Sequence, residues 1–162
     1  LTYSACTEVD MAASDLPDKA LEKHTRRLGL LTPIVKGWCT EVAQEVAALS
    51  LQCHGGMGYI EETGIAQIFR DARILPIYEG TNGIQSMDLV VRKIIGDKGL
   101  AINELIVDMR KSLSSLLPGS PLLSSQIDRF KGSVDDLEKT VSLLLKNSTN
   151  RKFSGSVAFD VL

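Results

Sequence analysis

Apolar side chains recur every three or four residues along most of the sequence, which is the spacing of one face of an α-helix. The longest stripes run from Val35 to Cys53, from Ile102 to Leu116 and from Ile127 to Leu144. No segment alternates between apolar and polar residues for long enough to make a strand. The pattern therefore predicts an all-α fold, most simply an antiparallel helical bundle.

Capping residues, prolines and glycines divide this pattern into separate helices. We expect helices over residues 2–13, 18–31, 64–72, 81–95 and 100–117, a long helix opening at Ser120-Pro121, and a last helix opening at Ser154 or Ser156. Thr63 and Thr81 are predicted N-caps, because a threonine hydroxyl can accept a hydrogen bond from a free backbone N–H of the first turn. Gly55 and Gly56 are predicted to end the helix that carries the first stripe.

Two prolines and one long stripe leave a choice of local structure. Thr32-Pro33 predicts either a new helix or a kink, because proline is favoured at the first helical position. Pro76 opposes helix, so residues 73–78 are predicted to be extended. The stripe from Ile127 to Leu144 covers nearly three heptads, which favours a packing seam within the chain over a sustained coiled coil.

The glycines at Gly96 and Gly99 mark the predicted boundary between two parts of the chain. Residues 1–96 would form a helical-bundle domain, and residues 97–162 would form a helical extension. The sequence begins without a methionine, and its apolar pattern is still running at Leu162. We therefore expect the bundle to lack its first helix or helices, and the extension to be truncated, as pieces of a longer protein.

Composition excludes several classes of function. The net charge of −2 gives no basic surface able to follow a phosphate backbone, so nucleic-acid binding is not expected. No apolar run is long enough to span a bilayer. The three cysteines have no metal-ligand spacing to His24 or His54.

The cysteines also indicate the compartment. Cys39 and Cys53 are 14 residues apart, about four helical turns, and are expected to share one buried face as small apolar residues. Unpaired cysteines favour a reducing setting, either the bacterial cytoplasm or the mitochondrial matrix.

Candidate chemistry is concentrated between Gln52 and Gln85. Three glycines in four positions, Gly55 to Gly58, let a ligand approach the main chain. Further on, Glu79 follows the apolar segment ILPIY, and an apolar pocket favours a carboxylate that accepts protons. We interpret these two segments as the two walls of one site. Arg70 and Asp71 are expected to form a local ion pair or helix-end cap, and His54 to be structural or exposed.

These segments resemble those of the acyl-CoA dehydrogenase family. QCHGGMGY, from Gln52 to Tyr59, resembles the family's Gln-x-x-Gly-Gly-x-Gly-Tyr/Phe segment, and FRDARILPIYEGTNGIQ resembles its Arg-Asp-Ala…Tyr-Glu-Gly-Thr segment. LLTPIVKGW is similar to the start of the helix that leads into them. Both motifs stand in the family's order and spacing, and the close resemblance extends from Leu30 to Lys93. Members with a C-terminal helical extension are the most similar.

The resemblance implies that Glu79 is the catalytic base. Acyl-CoA dehydrogenases remove a proton from the carbon α to the thioester carbonyl, while the β carbon gives a hydride to FAD, and the product is a trans-2-enoyl-CoA. By this likeness the backbone N–H of Glu79 would help to hold the thioester oxygen. Tyr78 would line the acyl cavity and Gly80 would lie against the thioester end of the substrate. Thr81 would reach the FAD.

The resemblance also implies an oligomer. Gln52, Gly55 and Gly56 would bind the FAD of a neighbouring subunit, so we expect a homodimer or homotetramer, with electron-transfer flavoprotein as the electron acceptor. One position departs from the family. Where this chain has Gly83, many members carry a glutamine whose side chain contacts the FAD adenine. Two alternatives remain: an acyl-CoA oxidase that uses the same base with oxygen as acceptor, or, for this piece alone, a catalytically inert helical oligomerisation module.

Overall fold

Helices account for the regular structure in the computed structural model, which describes residues 1–115 and 121–162; the side chains at 121, 122 and 159 lie outside this description. The described residues contain no strand, and the all-α prediction is confirmed. The α-helices are α1 (Thr2–Ala12), α2 (Asp18–Cys53), α3 (Gly56–Tyr59), α4 (Ile65–Ala72), α5 (Asn82–Met87), α6 (Leu100–Ser115), α7 (Pro121–Lys146) and α8 (Arg151–Val161).

The longest element, α2, runs for 36 residues through Pro33. Of the two alternatives predicted at Thr32-Pro33, a new helix is therefore wrong. The Thr32 hydroxyl does not cap a helix; it donates to the Leu28 carbonyl one turn earlier, at 2.8 Å. The Pro33 ring is buried, so packing within the bundle offsets the backbone hydrogen bond that proline cannot make.

A π-helical segment, Asp88–Ile95, continues directly from α5. Its winding is visible in the hydrogen bond from the Gly96 N–H to the Val91 carbonyl, five residues back, at 3.0 Å. The same spacing places Leu89 and Ile94, both buried, on one side. The predicted break at Gly96 and Gly99 is confirmed, and Gly99 makes the turn into α6 with a φ of +76°.

The apolar core is shared by elements on both sides of that break. Its members include Leu30 of α2 and the buried side chains of the π-helical segment, with others from α6, α7 and α8: Ala101, Ile102, Ile106, Leu113, Val134, Val141, Leu144 and Ala158. Arg26 and Arg27 of α2 add ion pairs to Glu104 and Asp108 of α6, at 2.9 and 2.8 Å. The division into 1–96 and 97–162 remains a prediction.

Three local predictions are wrong, because the hydrogen bonds in those segments differ from the ones that the sequence led us to expect. Residues 73–78 are not extended, since the N–H groups of Ile77 and Tyr78 both donate to the Ile74 carbonyl and close a turn. Gly64, in a left-handed conformation, is the N-cap of α4, while the Thr63 hydroxyl donates to carbonyls that precede it. The last helix begins at Arg151, earlier than expected, because the Asn150 side chain caps it.

The apolar stripe of α2 is largely exposed in this chain. Trp38 is 59% exposed, Val46 58% and Leu49 57%. The expectation for the cysteines on the same face is also wrong, because Cys53 is exposed and Cys39 only partly buried. The buried leucines of α2, Leu30 and Leu31, lie earlier on the helix, in its amino-terminal half.

Within the described ranges, no helix has both the length and the apolar character needed to cross a membrane.

Candidate functional site

The Tyr78–Thr81 loop, which carries Glu79, has an unusual backbone. Glu79 has a φ of +54° and Gly80 a φ of +85°, so two consecutive residues lie in the left-handed region. For a residue with a side chain, this conformation costs about 1–2 kcal/mol. Among described non-glycine residues, only Lys98, at the turn before α6, shares it. Surrounding contacts must therefore hold the loop in place.

Lys36 and Gln85 supply the contacts that hold the loop. The Lys36 ammonium, on α2, donates to the Gly80 carbonyl at 2.6 Å and to Asn82 Oδ1 at 3.1 Å. Gln85 Nε2, on α5, donates to the Glu79 carbonyl at 3.1 Å. The carbonyls of both left-handed residues are thus fixed by side chains, one from each flanking helix.

Asn82 is the buried link between this loop and α2. It is only 5% exposed. Its amide nitrogen donates to Glu41 Oε1 at 2.7 Å and to Thr40 Oγ1 at 3.2 Å, while its oxygen accepts from Lys36. The cation and the carboxylate therefore lie on opposite sides of one amide and fix its orientation, so that the first turn of α5 is tied to the middle of α2.

The Glu79 side chain itself lies at the surface of this chain, beside apolar groups. Tyr78 is 45% exposed, Ile77 48% and Ile84 60%, while Pro76 is buried beneath them. The apolar segment ILPIY therefore contributes to an apolar surface, and the described residues do not close this surface into a pocket.

Thr81 is the N-cap of α5, as predicted. Its Oγ1 accepts a hydrogen bond from the Ile84 N–H at 3.4 Å. The residue is exposed, and the hydroxyl hydrogen is still available to donate to a ligand, because accepting a bond does not use it. Capping and ligand binding by Thr81 are therefore compatible.

The glycine segment lies at the carboxyl end of α2. Gly55 has a φ of +56°, and a Cβ atom built on Gly55 or Gly56 would meet no atom within 4 Å. Gln52 is exposed beside them. The main chain here is open to an incoming group, so these residues fit a ligand that contacts bare backbone. Gly58 differs, because a Cβ there would lie 2.5 Å from the Leu51 carbonyl oxygen.

One chain does not bring the two segments together. The Glu79 loop contacts α2 at Lys36, and Gln52 follows 16 residues later on the same helix. At a rise of about 1.5 Å per residue, this separation is about 24 Å. A continuous helix therefore holds the two segments apart within one chain, and their interpretation as two walls of one site stays a prediction.

The residues between the glycine segment and the Glu79 loop form an ion pair different from the one expected. Arg70 donates to both carboxylate oxygens of Glu61, at 3.0 and 2.9 Å, and not to Asp71. The hydrogen bonds from Arg70, followed by its charge, hold the pKa of Glu61 below its ordinary value. His54 is exposed and its Nδ1 lies 2.8 Å from the Ser50 carbonyl oxygen, consistent with the structural reading.

A cavity of about 530 Å³ lies elsewhere, between α1, α2, α6 and α7. It is lined mainly by apolar side chains such as Leu31, Ile34 and Ile102. None of the residues proposed for the site lines it, so we do not assign the chemistry to it. The described residues contain no group of three or more His, Cys, Asp or Glu side chains placed to hold a metal ion.

Sequence reasoning missed the residues that support the site: Lys36, Asn82, Gln85 and Gly58. The Lys36–Gly80 pair is separated by 44 residues and the Lys36–Asn82 pair by 46. No local pattern announces such contacts.

The structure defines an all-α class of protein, a helical bundle that displays one carboxylate from a fastened loop beside apolar side chains, with an open glycine segment farther along α2. Comparison with known proteins identifies the class further. Residues 9–94 match the family described as acyl-CoA dehydrogenase, C-terminal domain. The chain belongs to the acyl-CoA dehydrogenase family.

Relatives are found in bacteria and animals. The chain is 41% identical over 153 residues to 3-methylmercaptopropionyl-CoA dehydrogenase of Ruegeria pomeroyi, covering 90% of this chain and 25% of the relative. It is 27% identical over 142 residues to acyl-CoA dehydrogenase family member 11 of Caenorhabditis elegans, covering 88% and 22%. The mitochondrial long-chain specific acyl-CoA dehydrogenase of Sus scrofa is 42% identical over 83 residues, covering 50% and 19%. The chain thus spans a quarter or less of these relatives.

Proposed function

We propose that this chain is part of a FAD-dependent acyl-CoA dehydrogenase that converts an acyl-CoA thioester into a trans-2-enoyl-CoA, with Glu79 as the base. The observation that carries the proposal is the fastened left-handed loop that displays the Glu79 carboxylate. Strain that the surrounding structure maintains is common at functional sites, where a group must be presented in one direction. The family to which the chain belongs supports removal of a proton from an acyl-CoA as the reaction of the Glu79 carboxylate.

In this reaction Glu79 takes the proton from the carbon α to the thioester carbonyl. Tyr78 and its apolar neighbours line the side of the acyl chain and keep water from the carboxylate, while the main chain at Gly80 lies against the thioester. The backbone N–H of Glu79 donates to the thioester oxygen, where negative charge develops as the proton leaves. FAD, when bound, would supply the acceptor for the hydride that leaves the β carbon.

The cofactor contacts would come from two copies of the chain. The exposed hydroxyl of Thr81 would donate to the FAD next to Glu79, and Gln52, Gly55 and Gly56 would reach the FAD of the neighbouring subunit. The separation of about 24 Å between Lys36 and Gln52 along α2 supports this arrangement, because the two segments lie far apart on one chain. A homodimer or homotetramer follows.

Exposed apolar surface supports the same assembly. A groove of about 550 Å³ between α2 and α4 is lined by Ala43, Val46, Ile68 and Leu75, among others. Val46 and Ile68 are more than half exposed. Contiguous apolar surface of this kind is typical of a contact with another subunit or another part of the same protein.

We propose electron-transfer flavoprotein as the acceptor of the electrons, and the bacterial cytoplasm or the mitochondrial matrix as the compartment. Oxygen as the acceptor would instead make the protein an acyl-CoA oxidase. Peroxide release, measured under air with the full-length protein, distinguishes the two. The acyl group is open, and 3-methylmercaptopropionyl-CoA is a natural probe because a relative 41% identical to this chain carries that name.

Glu79→Gln in the full-length protein tests the proposal. The change keeps the size and polarity of the side chain but removes the proton acceptor, so flavin reduction should fall by about 10²- to 10⁴-fold. Anaerobic mixing with butanoyl-, octanoyl-, palmitoyl- and 3-methylmercaptopropionyl-CoA should shift the flavin spectrum without bleaching it.

Glu62→Gln is the matched control, because Glu62 is also an exposed glutamate and lies away from the loop. It should reduce flavin at the rate of the unmodified protein. Reduction by the Glu79 variant at a rate close to that of the control would show that the base lies elsewhere.

A further inference from the structure

The loop that displays Glu79 depends on a lysine to which no role in the reaction has been given. Lys36 lies on α2, and its ammonium reaches across to the Gly80 carbonyl at 2.6 Å, the shortest of the contacts that hold the loop. Hydrogen bonds from a charged donor are stronger than neutral ones. The contact is made at the peptide between Gly80 and Thr81, one residue beyond Glu79, where a change in backbone angle would move the loop that displays the carboxylate.

The partners of Lys36 are those of a residue that holds a loop. No ion pair among the described residues includes it. Its ammonium is instead satisfied by two neutral oxygens, the Gly80 carbonyl and Asn82 Oδ1. On the other side of Asn82, the Glu41 carboxylate accepts a hydrogen bond from the Asn82 amide nitrogen at 2.7 Å. The buried Asn82 amide therefore lies between a positive charge and a negative charge.

We propose that Lys36 is a positioning residue for Glu79: it holds the Gly80 carbonyl so that the left-handed conformation of the loop, and hence the direction of the base, is set before substrate binds. This inference rests on the proposed function, in which Glu79 removes the α proton. Gln85, which donates to the Glu79 carbonyl at 3.1 Å, is the second and neutral hold. Preorganised geometry of this kind lowers the barrier to proton transfer, and a displacement of about 1 Å can cost about 10²-fold in rate.

Lys36→Met in the full-length protein removes the ammonium and keeps most of the apolar stem. We expect flavin reduction by the best acyl-CoA of the panel to slow by about 10- to 100-fold. Affinity for the same acyl-CoA, from spectral titration, should change by less than about threefold, because the ammonium holds the loop and not the substrate. Substrate deuterated at the α carbon should reduce the flavin more slowly than unlabelled substrate, since proton removal then limits the rate.

Lys93→Met is the matched control, because Lys93 is also a half-buried lysine and lies on the π-helical segment. It should reduce flavin normally. If Lys36→Met does not fold, Gln85→Met removes the other contact that holds the loop. It should also slow flavin reduction with little change in affinity for the acyl-CoA, by a smaller factor than Lys36→Met.

The inference is overturned if Lys36→Met reduces flavin at the control rate. It is also overturned if the variant loses only flavin content and thermal stability, with an unchanged rate per bound flavin, since Lys36 would then be purely structural. The Glu79→Gln variant distinguishes a failure of this inference from a failure of the proposed function. A collapse of turnover in Glu79→Gln beside a normal Lys36→Met rejects only the role of the lysine, whereas normal turnover in Glu79→Gln rejects the base.

Discussion

Asp108 on α6 should contribute to stability through its bond to a buried arginine on α2. Its Oδ2 atom lies 2.8 Å from Arg27 Nη2 and 3.7 Å from Lys23 Nζ. The side chain of Arg27 is only 10% exposed. Asp108→Asn keeps the shape of the side chain and removes the charge, so the arginine would remain in the bundle without its counter-ion.

The expected loss follows from how far the pair is removed from water. Removing one partner of a fully buried ion pair costs about 3–5 kcal/mol, and a hydrogen bond to a charged group is worth about 1.5–3 kcal/mol. The Asp108 side chain is 38% exposed, so solvent screens the interaction. We therefore expect Asp108→Asn to lower the free energy of unfolding by about 1–2 kcal/mol at neutral pH.

The same pair predicts a dependence on pH. The hydrogen bond from Arg27 is the main reason that the pKa of Asp108 lies below its ordinary value; partial burial opposes it, and the charge of Lys23 adds to it. A carboxyl whose folded pKa is lowered stabilises the protein above its unfolded pKa of about 3.9, and this stabilisation is lost as the pH falls through the folded pKa. The gap between the unmodified chain and Asp108→Asn should be constant above about pH 5 and shrink below about pH 4.

Urea denaturation of the 162-residue chain, followed by circular dichroism, measures the effect. Asp135→Asn is the matched control, because Asp135 also pairs with an arginine, Arg110, but is 51% exposed and leaves Arg110 its second partner, Glu138, at 2.6 Å. The control should leave the free energy of unfolding almost unchanged. Equal effects of the two substitutions at neutral pH, or a gap that does not vary with pH, would refute the reasoning.

Further predictions concern the cofactor and the glycines. The 162-residue chain alone should be helical by circular dichroism yet bind FAD weakly or not at all, and a yellow preparation with stoichiometric flavin would contradict this. In the full-length protein, Gly56→Val should lose flavin while keeping its helicity, because a Cβ at Gly56 meets no atom within 4 Å in this chain. Gly58→Ala should lower the thermal midpoint instead, because its Cβ would lie 2.5 Å from the Leu51 carbonyl oxygen. If Gly56→Val lowers the midpoint and keeps its FAD, the glycine serves only to end α2.

The regular parts of the fold were predictable because they depend on local chemistry. The spacing of apolar residues located the helices, Thr81 was recognised as a cap, and the break at Gly96 and Gly99 was placed correctly. These features arise from interactions within a few residues, which a single sequence displays. Pro76 misled the interpretation, because proline opposes helix but is compatible with the turn that the Ile74 carbonyl closes.

The candidate site was predictable only in part. The motif containing Glu79 was visible, but its positive φ and the contacts from Lys36 and Asn82 were not. Those contacts depend on which turn of α2 meets the loop, and that in turn depends on α2 continuing through Pro33. Exposure of Trp38 was missed for a related reason: periodicity marks an apolar face but does not say whether this chain covers it.

The unbroken length of α2 constrains which changes this protein can accept. In an α-helix each residue adds about 1.5 Å of length and about 100° of rotation. A residue inserted between Glu41 and Gln52 would therefore turn the glycine segment by more than a quarter of a revolution relative to Glu79, although every original side chain would remain. Substitutions along this stretch change only local packing, whereas any insertion or deletion would disturb two distant parts of the proposed site at once. Changes of length should accordingly be confined to the connections outside this helix.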